Sequence, residues 1–252
     1  MSPSRFDAVD ALRGMAMVWM TVFHLCFDLS HFGYWPQNFR ADPFWTGQRT
    51  AIVSMFLFCA GLGQAIALYQ GQGWRRFGRR WGQIAAGALL VSAGSYAMFP
   101  QSFIYFGVLH GMAVMLLLTR CLAAGQGALW WALAGGVAIA LPVVAQHLLT
   151  GALSEWAALF NARTLNWLGL VSRKPYTEDY VPVLPWLGVL WWGVACGCWL
   201  LLHRPSWLRM AVPALLRPLA VLGRWSLVYY LLHQPILMGV LLAWGAWWRV
   251  TP

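Results

Sequence analysis

The chain has 252 residues, of which 60% are hydrophobic and 10% charged, and its mean hydropathy is +0.60. A soluble domain carries roughly 25% charged residues, so this composition excludes that class and points to an integral membrane protein. The net charge of +10 does not describe a nucleic-acid surface: all but one of the 17 basic residues are arginines at the ends of apolar runs, which suits topology determinants and contacts to anionic membrane lipid.

The predicted spans each approach the roughly 20 apolar residues that a helix needs to cross a bilayer. In chain order they run Leu12 to Phe32, Thr50 to Tyr69, Gly82 to Phe99, Phe103 to Cys121, Ala128 to Leu149, Val183 to His203 and Trp225 to Trp248. No internal repeat or low-complexity linker interrupts them. Residues 1–252 are therefore predicted to form one domain, a single all-α bundle of about seven transmembrane helices. The 18 tryptophans suit aromatic belts at the two membrane surfaces. The first apolar run is too long for a removable signal peptide and lacks a small-residue cleavage site. None of the five cysteines forms a CxxC. They read as small packing residues, and no metal site is expected.

Arginine placement predicts the orientation. Seven spans put the N-terminus (Arg5, Arg13), the loop GWRRFGRR (Arg75, Arg76, Arg79, Arg80), Arg120, and Arg204, Arg209, Arg217 and Arg224 on one side. Arg40, Arg49, Arg163, Arg173, Lys174 and Arg249 fall on the other, diluted by acidic residues. The first side, and with it the N-terminus, is predicted to be cytoplasmic. Two long outer segments, Gly33 to Arg49 and Thr150 to Pro182, have the size at which loops over a bundle are often functional. Glu178 and Asp179 lie just before the sixth span, where they could hold a polar or cationic acceptor or form an ordinary solvated turn.

The first span carries His24 and Asp28 inside its apolar run. Ionisable groups at membrane depth cost about 2.5 kcal/mol or more each, and they usually face a protein interior or a wet cavity. At i and i+4 they share a helix face, so the carboxylate could orient the imidazole as a general base, or the pair could only pin the helix to its neighbours. His110 and His233 also lie well inside apolar runs, and together with the His24–Asp28 pair they suggest a shared cavity. Gln234 and Tyr229 flank His233, and Pro235 disrupts the helix there. His31 lies nearer the end of the first span and stays open as a candidate; His147 and His203, also near span ends, read as ordinary surface residues. Arg13 precedes His24 by eleven residues on one helix, or about 16 Å. That roughly suits coenzyme A, with its phosphates at cationic groups on the cytoplasmic face and its arm reaching mid-membrane. The same arginines could do no more than set topology.

The stretch RFDAVDALRGMAMVWMTVFHLCFDLSHFGY resembles the N-terminal signature of bacterial membrane proteins related to heparan-alpha-glucosaminide N-acetyltransferase. MFLFCAGLG, IYFGVLHGMAV, DYVPVLPWLGVLWWG and LGRWSLVYYLLHQPIL follow in the expected order. The Asp-x-x-Arg-Gly start, the first-span His and the late Tyr-x-x-His resemble, more distantly, the wider class of membrane acyltransferases. The resemblance implies a multi-pass enzyme of the bacterial inner membrane. It would move acetyl from cytoplasmic acetyl-CoA to an amino-sugar or glycan acceptor at the outer face. It implies an acid/base or acyl-carrier role for His24, and it places Asp10 and Arg13 at the cofactor side. In eukaryotic members an Asn stands at the His24 position and the important His comes later, where His31 is this chain's candidate.

These readings combine into a membrane acetyltransferase in which His24, oriented by Asp28, takes the acceptor's proton. His31, His110, Asp179, His233 and Gln234 are the further substrate-binding or oxyanion candidates. Membrane lipid and the acceptor are the expected partners, nucleic acid is not, and a homo-oligomer is left open. The alternatives are a proton-coupled small-solute transporter using the same His and Asp groups and a non-catalytic membrane scaffold.

Overall fold

The computed structural model describes residues 6–250, with side chains through Gly245. Arg5 and the side chains of Trp248 and Arg249 lie outside the described residues. The helices are α1 (Asp7–His31), α2 (Pro43–Tyr69), α3 (Trp74–Met98), α4 (Val108–Leu122), α5 (Ala128–Thr150), α6 (Ala157–Asn161), α7 (Val183–His203), α8 (Pro205–Leu208), α9 (Arg217–Arg224) and α10 (Ser226–Val250). No strand occurs among the described residues, and the only β pairing there is an isolated bridge between Phe106 and Tyr180. The protein is an all-α integral membrane protein.

A helix stands at each of the seven predicted positions, but among the described residues only α1, α2, α5, α7 and α10 are long and apolar enough to cross a membrane. The predicted count of seven is thus not reproduced. α4 has 15 residues, about 22 Å of helix against a hydrocarbon core of about 30 Å. It starts at Val108 because Phe103 and Phe106 give their carbonyls to the loop before α7, accepting from the Thr177 hydroxyl and the Val181 N–H. α3 differs for another reason: it opens on the arginines of WRRFGRR, and its charge-free part, 81–98, is diluted by Gln83 and by several glycines and serines.

By internal packing the chain divides into two compact units, Leu57–Leu208 and Arg5–Phe56 with Arg209–Pro252. They are called here the middle and the terminal unit. The chain passes between them inside α2 and again after α8.

The middle unit is organised on α7, whose Leu190 and Val194 are fully buried. Without a hydrophobic force between helices in lipid, close backbone packing decides which helices associate, and small residues permit it. A Cβ on Gly193 would lie 2.2 Å from the Phe58 carbonyl oxygen of α2, and one on Gly188 would lie 2.4 Å from the Gly135 carbonyl oxygen of α5. Several tryptophans hydrogen-bond between helices of this unit. Trp191 donates to the Thr119 hydroxyl at 3.0 Å, Trp192 to the Ala132 carbonyl at 3.1 Å and Trp81 to the Ala113 carbonyl at 2.9 Å.

In the terminal unit α1 and α9 approach through a reciprocal pair of glycines. A Cβ on Gly14 would meet the Leu219 carbonyl oxygen at 1.9 Å, and one on Gly223 would meet the Asp10 carbonyl oxygen at 1.8 Å. Ion pairs close the same seam: Arg224 to Asp7 at 2.8 Å, Arg13 to Asp10 at 3.1 Å and Arg224 to Asp10 at 3.8 Å. The segment after α1 folds back on it through aromatic packing. Phe39 stacks on Trp45 with centroids 4.1 Å apart, and Phe23 meets Phe39 edge-on at 5.5 Å.

Candidate active site

The His24 face of α1 meets α10. The rings of His24 and His233 lie 5.1 Å apart, centroid to centroid, at 61°. The next turn of α1 brings Asp28, 2% exposed, whose Oδ1 accepts from the Gln234 side-chain amide at 2.8 Å. The expected contact between the Asp28 carboxylate and the His24 imidazole is not formed. Asp has a single-carbon stem, and its carboxylate is held sideways by α10 instead of running back along α1.

His233 is held on two sides. Its Nδ1 lies 2.7 Å from the Tyr230 carbonyl oxygen, and the Tyr229 ring lies nearly parallel to it, 6.0 Å away at 8°. The Tyr229 hydroxyl is in turn 2.6 Å from Thr21 Oγ1. Because Thr21 gives its own proton to the Met17 carbonyl at 2.8 Å, Tyr229 is the donor in that pair. Four buried polar atoms of this cluster have no hydrogen-bond partner: His24 Nδ1, Asp28 Oδ2, His233 Nε2 and Gln234 Oε1. Leaving such atoms unpaired costs about 1–3 kcal/mol each. A packed protein rarely tolerates four of them together unless something else bonds them. They present a basic nitrogen, a carboxylate oxygen and an amide oxygen, which can pair with an amine or hydroxyl, and His24 Nδ1, which can pair with a carbonyl.

The remaining candidates of α1 are placed differently. Asp10 is buried and engaged with both Arg13 and Arg224. Arg13 also reaches the Gly223 carbonyl at 3.5 Å, so it is first of all a clamp between α1 and α9. His31 is exposed at the last turn of α1, where it stacks on Phe27 at 13°.

His110 and Asp179 belong to the middle unit, and both serve the start of α4. His110 Nδ1 accepts from the Gly107 N–H at 3.3 Å. Ser92 donates to the Ile104 carbonyl at 2.6 Å, so His110 Nε2–H donates to Ser92 Oγ at 3.0 Å. Both ring nitrogens are thus paired. Asp179 Oδ2 accepts from the Val108 N–H at 2.9 Å, which places a negative charge at a helix N-terminus, where it is favoured. Gly107 makes room for it, since a Cβ there would lie 2.4 Å from that oxygen. Glu178 accepts from the Ser102 hydroxyl at 2.7 Å. Around His110 and Asp179 the geometry is that of a loop staple.

Sequence reasoning missed Thr21, the Tyr230 carbonyl and Arg224. Thr21 precedes His24 by three positions, and its hydroxyl on the same side of an apolar helix was the available signal. A backbone carbonyl gives no such signal. Among the described residues no group of three or more His, Cys, Asp or Glu is arranged to hold a metal.

A family model described as heparan-alpha-glucosaminide N-acetyltransferase, catalytic, matches residues 5–235. No curated protein and no solved structure gives a match.

Proposed function

From the premise that the chain belongs to the heparan-alpha-glucosaminide N-acetyltransferase catalytic family, and so is a multi-pass membrane acetyltransferase, we propose that it moves acetyl from acetyl-CoA to the amine or hydroxyl of an amino sugar or glycan. The chemistry takes place at the α1/α10 cluster. The observation that carries this reading is the convergence of four unpartnered buried polar atoms on His24, Asp28, His233 and Gln234. Transfer from a thioester needs a base for the acceptor's proton and a donor for the developing oxyanion. Two imidazoles in contact can supply both. Burial among helices also limits hydrolysis of the thioester by water.

The reading keeps His24 and Asp28 as site residues and changes how Asp28 acts. Through Gln234 it fixes the turn of α10 that carries His233, so it is a positioning residue. At the N-terminal end of α1, Arg13 and Arg224 are the cations available to the phosphates of coenzyme A. Arg224, with its side chain 37% exposed, is the more open of the two, against 22% for Arg13. Both are already neutralised by Asp7 and Asp10, so phosphate binding there has to compete with carboxylates. The arginine distribution supports a cytoplasmic N-terminus in a bacterial inner membrane, with the donor entering from the arginine-rich side.

The test is acetyl transfer from radiolabelled acetyl-CoA to a panel of amino sugars by purified protein in lipid. Transfer by the wild type that is lost in His24→Ala supports the reading. A wild type that transfers to none of the amino sugars or sugar hydroxyls overturns it.

A further inference from the structure

We infer that His233 is the general base of the transfer and that His24 is the hydrogen-bond donor to the thioester oxygen; this rests on the acetyl-transfer reading above. The two roles differ in which ring nitrogen carries the proton. His233 Nδ1 lies 2.7 Å from the Tyr230 carbonyl oxygen. A carbonyl only accepts, so Nδ1 holds the hydrogen and, in the neutral ring, Nε2 holds the lone pair. That Nε2 is buried and has no protein partner. Tyr229 covers one face of the ring and is itself fixed by its bond to Thr21. His233 therefore has its tautomer set by the backbone, its face set by a neighbour, and a basic atom left open.

His24 has none of this. No hydrogen bond selects its tautomer, and its Nδ1 is also buried and unpartnered, so its ring is free to present an N–H. No carboxylate touches either imidazole, because Asp28 is held by Gln234. The titratable groups around His233 are His24 and Asp28 from α1 and Tyr229 and Tyr230 from its own helix. α9 also packs on α10 and brings Arg224, whose guanidinium is spent on Asp7 and Asp10.

In the first step the acceptor's nitrogen or oxygen attacks the thioester carbon. A C–N or C–O bond forms, the carbonyl pair moves to oxygen beside His24, and the acceptor's proton passes to His233 Nε2. The imidazolium keeps its Nδ1–H on the Tyr230 carbonyl, a bond that strengthens when the ring is charged. In the second step the oxyanion pair re-forms the carbonyl and the C–S bond breaks. The thiolate takes the proton back from Nε2, leaving acetylated acceptor and free coenzyme A.

The experiment compares pH profiles of kcat/KM for the full chain in lipid, corrected for ionisation of the acceptor amine. His233→Asn is expected to lower kcat/KM by about 100- to 10,000-fold and to remove the remaining acid limb. His24→Asn is expected to lower the rate but keep that limb. Thr21→Val, which frees Tyr229, should lower kcat with little change in KM. An acid limb that survives in His233→Asn, or disappears only in His24→Asn, overturns the assignment while leaving the acetyl-transfer reading in place. A wild type without transfer overturns both. If His233→Asn does not fold, nitrogen-15 spectra of histidine-labelled wild type still decide. One tautomer with a bare Nε2, assigned to His233 by its sensitivity to Thr21→Val, supports the inference, and an Nε2–H tautomer at that residue overturns it.

Discussion

His110 in the middle unit and His233 in the terminal unit are both imidazoles within apolar segments, and the protein uses them in opposite ways. His110 has each ring nitrogen hydrogen-bonded, one to the Gly107 N–H and one to the Ser92 hydroxyl. It closes the start of α4. His233 has one nitrogen anchored and the other buried without a partner, beside a second histidine that also has a buried, unpartnered nitrogen. A satisfied polar group in a core specifies structure, and an unsatisfied cluster costs stability that only a bound partner can recover. Being buried and ionisable does not tell the two apart.

The largest effect that would break this contrast is catalytic. His24→Ala should lower acetyl transfer by about 100- to 1,000-fold while thermal unfolding in detergent stays near the wild type; full activity would remove His24 from the chemistry. Next comes the frame that holds the cluster. Gly223→Val sets a side chain against the Asp10 carbonyl, 1.8 Å from the new Cβ, and neither backbone can yield. A loss of about 3 kcal/mol is expected, read as a collapse of the monodisperse peak in fluorescence-detected size exclusion. A normal peak would mean that α1 and α9 do not need this approach.

The middle unit should respond in stability alone. His110→Leu leaves the Gly107 N–H and the Ser92 hydroxyl short of a partner and should cost about 1–3 kcal/mol. Transfer per folded molecule should not change, and a catalytic defect there would undo the distinction between the two histidines. Asp179→Asn keeps an acceptor for the Val108 N–H but removes the charge from the α4 N-terminus. About 0.3–1 kcal/mol should be lost, visible as a small drop in the unfolding midpoint and nothing in kcat.

Much of the helical layout was legible in the sequence, because a run of apolar residues has few alternatives in lipid. Each of the seven predicted runs contains a helix. The two that fall short of a span do so for different reasons. α4 begins late because Phe103 and Phe106 are bonded to a loop some seventy residues away, and α3 starts early, at Trp74, but is diluted by the glycines and serines of its own apolar part. His24 and Asp28 could also be singled out from the sequence, since charge inside an apolar run is conspicuous. The partner of Asp28 could not. Spacing along α1 pointed to His24, and Gln234 is 206 positions away.

The sequence by itself determined the class of protein, the positions of its helices, the family, and the short set of ionisable residues placed at membrane depth. These follow from composition and local order, where each residue's preference is expressed without reference to distant ones. The tertiary structure alone decided which of those residues are satisfied and which are left open. It also decided that glycines at 14 and 223 let two backbones touch, and that Gln234 of α10 takes the Asp28 carboxylate. Hydrogen-bond satisfaction is a property of pairs, and the pairs that matter here join α1 to α10, the two ends of the chain.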